Sequence, residues 1–193
     1  MLSSGASSFY RRREGILEVY DFVSGQYVPA PVSPGVIFLP SLADRKKVVR
    51  SNAGATLYDI GDGVLCAEFH TKMNAVDADI VGMLAEGVEL AEKEFEGMVI
   101  ANHAEHFSAG ANLMLLFLEA QNKQFDNIEA MVRGFQDACM RLRYSERPVV
   151  AAPAGMALGG GTEICLGADR VRAAAGAYRG MVEVGVGLLP AGG

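Results

Sequence analysis

The sequence has no tryptophan, no Cys-x-x-Cys pair, no Gly-x-Gly-x-x-Gly run and no P-loop. The last two absences remove the commonest nucleotide-binding signatures. Its three cysteines, Cys66, Cys139 and Cys165, are odd in number and widely spaced. That argues against a disulfide framework and a zinc site, and makes a reducing cytoplasm the simplest compartment. Mean hydropathy is mildly apolar at +0.19, yet no window approaches the roughly 20 uncharged apolar residues that a bilayer span needs. Residues 1–9 are Ser-rich and run into Arg11, Arg12 and Arg13 without the apolar stretch of a secretory leader. Positive charge is scarce in the body of the chain. Residues 1–48 carry a net +2 and residues 49–193 a net −8, so an acidic body without a basic stripe excludes nucleic acid as the expected partner.

What is present divides near residue 48. Before it, Pro29, Pro31, Pro34 and Pro40 crowd a segment with only short strand-like pieces, such as residues 17–22, which reads as a Pro-rich arm or linker. The triple arginine there reads as a solvated surface, with a phosphate or membrane contact as the alternative. After it, residues 57–60 and 64–69 flank Gly61-Asp62-Gly63, the pattern of a hairpin. Ile80, Leu84, Val88, Ala91 and Phe95 recur at helical spacing opposite Glu86, Glu89, Glu92 and Glu96, which predicts an amphipathic helix with one buried face. Strands are expected over 98–101, 149–154 and 170–174, a second helix over 127–143 and a helix start within 159–167. In that second helix Ile128, Met131, Val132, Phe135, Cys139 and Leu142 are expected to face inward. The alternation points to an α/β fold.

Two segments carry chemistry. Gly159-Gly160-Gly161 stands between an apolar strand and the helical Thr162-Glu163-Ile164-Cys165-Leu166. The first turn of a helix has N–H groups without intrahelical acceptors and the positive end of the dipole, which suits an anion or a developing oxyanion. By itself the turn is equally explained by close strand-to-helix packing. The second segment, 103–113, places small residues from Ser108 to Ala111 where backbone is approachable. His103 and His106 flank it as possible base or metal ligands, but no third ligand has recognisable spacing, so they read as surface loop residues. His70 reads as structural, and the nine methionines as mostly core.

The stretches FSAGANL at 107–113 and RPVVAAPAGMALGGGTEICLGADRVRA at 147–173, with the spacing between them, resemble the crotonase (enoyl-CoA hydratase/isomerase) superfamily over roughly residues 50–193. The resemblance implies a crotonase-type spiral of repeated ββα units. It implies an oxyanion hole for an acyl thioester from the N–H groups of Ala111 and Gly160, with Ala109 and Gly110 in the substrate-binding loop. It also implies catalytic carboxylates at Glu163, three residues beyond the middle glycine, and at Glu183, twenty further on. Both being present favours a hydratase over the isomerases, which typically keep one. Asn112 stands where the family commonly has Asp, a change expected to alter a local hydrogen bond rather than the reaction.

The chemistry agrees. Adding water across an α,β-unsaturated thioester needs a base for the water, an acid for Cα and stabilisation of the enolate-like oxygen. Alone, Glu163 could be a helix N-terminal carboxylate and Glu183 a solvated loop residue. The expected function is therefore enoyl-CoA hydration in fatty-acid β-oxidation, with no metal and no redox cofactor, an acyl-CoA substrate and a homo-oligomer, trimeric or hexameric in the family. The alternatives are enoyl-CoA isomerisation and a non-catalytic acyl-CoA-binding or assembly domain. Gly193 falls where the resemblance would continue into several helices, and SFYRRREG with VYDFVSGQYVPAP faintly resembles the tail of a 3-hydroxyacyl-CoA dehydrogenase domain. A truncated core, cut from a dehydrogenase and hydratase fusion, is the expectation.

Overall fold

The computed structural model describes residues 8–13, 16–31, 35–44 and 46–193; Glu14 and Pro34 lie outside them. The chain divides into two compact units, 1–48 and 49–193.

In the first unit, β1 (Tyr10–Arg13), β2 (Ile16–Asp21) and β3 (Gln26–Pro29) form an antiparallel sheet, followed by a short helix α1 (Pro40–Asp44). The proline content did not suggest this sheet. Its register faces Tyr20 with Tyr27, and Tyr20 also meets Phe22 edge-on at 5.3 Å. Arg11 is not a freely solvated charge. Its guanidinium lies 4.0 Å over the Tyr27 ring, and its Nε donates to Glu18, an arrangement in which aromatic face and carboxylate both attract the cation.

The second unit is built on a six-stranded sheet. β4 (Val48–Ser51), β5 (Ala55–Asp59), β6 (Val64–Phe69), β7 (Gly97–Ile100), β8 (Val149–Ala151) and β10 (Arg170–Val171) lie in the order β10-β8-β7-β6-β5-β4. β5 and β6 are the predicted hairpin, with Leu57 opposite Ala67. From β6 onward the pairing is parallel, which requires a crossover after each strand. The first crossover carries α2 (Ala78–Glu94), capped by the Asp77 carboxylate, which accepts from Ile80 N at 3.0 Å. Its buried face, Ile80, Met83, Leu84, Val88 and Ala91, meets Leu57, Leu65, Phe69, Met98 and Ile100 of the sheet. Phe95 ends the helix and is half-buried against this core.

A second, shorter layer runs beside the sheet. Val76 bridges Ala111, Ser108 bridges Ala157, and β9 (Met156–Leu158) pairs in parallel with β11 (Tyr178–Gly180). Each turn of the chain thus passes from a strand of the main sheet to a short second-layer contact and then to a helix or helical turn. After the 108–111 contact comes α3 (Leu113–Gln121), then α4 (Phe125–Arg143); after β9 comes α5 (Gly160–Gly167); after β11 comes a 3-10 turn, Glu183–Val186. This is the spiral of ββα-type units that the resemblance implied.

Several expectations need correction in detail. The glycine turn follows β9, not the strand begun at Val149, which ends at Ala151 two residues before Pro153. The strand at Arg170 ends at Val171, and α3 falls where only a loop was expected. Ile128, Met131 and Val132 are half-buried rather than inward, and α4 buries Phe135, Ala138, Cys139 and Leu142. Among the described methionines only Met83 and Met98 are buried. His70 is exposed beside Asn52 O. No helix of the described residues is long and apolar enough to cross a membrane.

Candidate active site

The second layer brings two loops into contact. The first is the Ser108–Asn112 loop, held from both sides by main chain: Val76 N donates to Gly110 O at 2.8 Å and Asn112 N to Val76 O at 3.2 Å, while Ser108 N donates to Met156 O at 3.0 Å. Between those two bonds Ala111 N points away from Val76, as alternate groups do in a parallel bridge. Gly110 has φ +90°, and a Cβ there would stand 2.9 Å from Leu158 O. Only glycine combines that backbone with that approach. Asn112 caps α3, its carbonyl oxygen accepting from Leu115 N at 3.3 Å, so the Asn in place of the family's Asp performs a local backbone task.

The second loop is the glycine turn. Gly159 has φ +50° and gives its N–H to Gly180 O at 2.9 Å. Gly160 opens α5, and a methyl group on it would stand 3.8 Å from Ala111 N. Among the described residues neither Ala111 N–H nor Gly160 N–H donates to a protein acceptor. Two unpaired backbone donors, one at the first turn of a helix, therefore stand side by side.

Both glutamates reach this place. Glu163 lies in the first turn of α5 and is 7% exposed. Its Oε1 accepts from Gly192 N at 2.6 Å. Burial pushes its carboxyl above the usual carboxylate range, against the pull of the Gly192 N–H, and the nearby charge of Glu183 adds to the rise. Glu183 sits on the 3-10 turn. A Cβ at Gly159 would stand 2.8 Å from its Oε1, while its Oε2 is buried with no protein partner among the described residues. A buried carboxylate oxygen without a donor is costly unless something else supplies one.

Ala109 donates its N–H to Met73 O at 3.1 Å, so a ligand there meets its carbonyl or its methyl. All six residues implied by the resemblance thus gather around the two loops. Residues not singled out beforehand support them. Ser108, fully buried, donates its hydroxyl to Asn74 O at 2.7 Å and accepts from Gly110 N at 3.1 Å. Asn74 in turn donates its amide to His106 O. A hydroxyl immediately before a run of small residues was the available signal. His106 shapes the loop by accepting from Met156 N at 3.4 Å, and His103 is exposed. Among the described residues no group of three or more His, Cys, Asp or Glu side chains is placed to hold a metal ion.

A parallel-sheet spiral with a short second layer, carrying paired backbone donors and two carboxylates, has the crotonase fold. Residues 59–193 match the enoyl-CoA hydratase/isomerase family. The chain belongs to that family. It is 44% identical, over all 193 residues, to a Bacillus subtilis (strain 168) protein named "Probable 3-hydroxyacyl-CoA dehydrogenase", of which it covers 24%. It is 31% identical over 123 residues to the short-chain-enoyl-CoA hydratase of Clostridium acetobutylicum, covering 61% of this chain and 45% of that one. The structure of an enoyl-CoA hydratase from Polaromonas sp. JS666 superposes with a TM-score of 0.67 at 28% identity, over 72% of this chain and 55% of that one. The chain therefore spans about a quarter of the length of the Bacillus relative and about half that of the hydratases.

Proposed function

We propose that this chain carries the hydration site of an acyl-CoA-processing protein, adding water across 2-enoyl-CoA thioesters in fatty-acid oxidation. The observation that carries this reading is the meeting of two unpaired N–H groups, Ala111 and Gly160, with two carboxylates in one place. A thioester carbonyl seated between the donors would be polarised, and the charge that moves onto its oxygen when water attacks Cβ would be met by them without reorganisation. The carboxylates Glu163 and Glu183 would hold the water between them, the buried Oε2 of Glu183 accepting from it. One carboxylate takes a proton from the water as the C–O bond forms, and a carboxyl proton passes to Cα, so the pair ends with the protons it began with. A carboxyl held above its usual range, as Glu163 is, exchanges a proton more readily near neutral pH. A cytoplasmic location and a homo-oligomer belong to the same reading; three buried free thiols, with burial pushing those of Cys66 and Cys139 up to about 12, fit a reducing compartment.

The test uses the full-length gene product. Glu163→Gln and Glu183→Gln should each lower crotonyl-CoA hydration by about 10² or more, without loss of thermal stability. Wild-type rates in either variant would overturn the acid and base assignment. Loss in Glu163→Gln alone, with double-bond migration in place of hydration, would make the site an isomerase.

A further inference from the structure

The two glutamates ride on different elements, so something must fix the distance between them. Glu163 is set by α5. Glu183 lies on a 3-10 turn whose bonds are largely its own: Gly185 N to Val182 O, Gly187 N to Val184 O and Leu188 N to Glu183 O. No residue of that turn is fully buried. The turn therefore takes its position from where its loop is anchored at either end. Downstream the anchor is Gly192 N–H on the Glu163 carboxylate. Upstream it is Gly180, three residues before Glu183. Gly180 N donates to Thr162 Oγ1 at 3.1 Å, and the same hydroxyl donates to Ala157 O of β9 and stands 3.1 Å from Gly180 O. Adjacent residues, Thr162 and Glu163, thus clasp both ends of the loop that carries Glu183.

We propose that Thr162 is a positioning residue whose buried hydroxyl ties β9, α5 and β11 together and so sets the separation of Glu163 and Glu183. A hydroxyl suits this task because it donates once and accepts twice. It can bond the carbonyl of one strand and the N–H of another at once, beside the main-chain bond from Gly159 N to Gly180 O. The β9–β11 pairing is only three residues long, so a single additional tie is a large share of what holds β11. Catalytic groups must be held to about 0.5 Å, and a displacement of about 1 Å costs on the order of a hundredfold in rate. The inference rests on the hydration reading for its consequence in turnover, but not for the clasp itself.

Two measurements on the full-length gene product test it. In Thr162→Val, kcat for crotonyl-CoA hydration should fall about tenfold to a hundredfold, while KM stays within about twofold because the donors that bind the thioester are untouched. Thr162→Ser, which keeps the hydroxyl, should restore most of the rate, and Thr162→Ala serves if the valine variant does not fold. Amide hydrogen exchange should quicken at residues 180–184 in the valine or alanine variant and stay unchanged in the α2 core. Wild-type kcat, or unchanged exchange at 180–184, would overturn the proposal. So would a uniform loss of protection with kcat per folded molecule intact, which is what a merely structural role predicts. Glu163→Gln and Glu183→Gln are run beside it. If they keep full activity the hydration reading falls and exchange alone decides the clasp; if they lose activity and Thr162→Val does not, the clasp alone falls.

Discussion

Glu163 and Glu183 are the same residue type in one site, yet their surroundings differ throughout. Glu163 stands on a helix in which every residue but Leu166 is buried, and its carboxylate accepts a main-chain hydrogen bond. Glu183 stands in a segment where Val184, Val186, Leu188 and Leu189 are exposed, and one of its oxygens has no protein partner among the described residues. The difference separates two tasks. A carboxylate embedded in the core has its protonation set by burial, whereas one on a surface turn has its position set by whatever tethers the turn. A contrast in burial also separates two of the helices. α2 buries a full face in the core, while α3, apolar on nearly every side, buries none of its residues.

The contrast is open to measurement, most sharply at Gly159. Alanine there would require φ near +50° with a Cβ 2.8 Å from Glu183 Oε1. The strain should cost about 1–3 kcal/mol of stability. The displaced carboxylate should lower hydration on the order of a hundredfold, since the crowded atom is the far end of a flexible side chain and can move. Denaturant unfolding and turnover on the same sample would check both; an active Gly159→Ala enzyme would show that Glu183 is not positioned from this side.

A smaller effect distinguishes the buried partner. The Glu163 carboxyl is held above its ordinary value of 4.5 in the folded chain. The folded state therefore keeps its proton after the unfolded state has lost it, and stability declines as pH rises from about that ordinary value through the folded one. Glu163→Gln, which cannot ionise, removes the decline. Its stability relative to the wild type should grow from acid to neutral pH in urea titrations, and a difference that does not vary with pH would contradict the burial argument. The smallest effect belongs to the exposed segment. Leu189 is 80% exposed, so Leu189→Ser should change unfolding free energy by no more than about 0.5 kcal/mol.

Much of the framework was legible before folding. The β5–β6 hairpin announced itself through Gly61-Asp62-Gly63, and α2 through its apolar period. α3 gave no such sign, because Leu-Met-Leu-Leu-Phe-Leu has no polar face from which a period could be read. β9 is three residues between glycines, too short to show alternation. The second layer as a whole was hidden for the same reason, being assembled from two single bridges, Val76 to Ala111 and Ser108 to Ala157, and the three-residue β9–β11 pairing. Arg11 is exposed, as its sequence context suggested, but its contact with the Tyr27 ring could not be read because Tyr27 lies across a sheet that the prolines obscured.

By itself the sequence determined what depends on neighbours along the chain: the glycine turn before Glu163, the small-residue loop ending at Asn112, the hairpin, and the spacing of twenty that sets Glu183 after Glu163. Only the tertiary structure decided that the N–H groups of Ala111 and Gly160 stay unpaired among the described residues, that Gly192 returns to the Glu163 carboxylate from 29 residues away, and that the Glu163 carboxyl is pushed upward. The physical reason is that turn chemistry and periodicity are local, acting within a few residues. Burial and hydrogen-bond pairing at a site instead depend on segments far apart in the chain, and are fixed only when the parallel strands set their register.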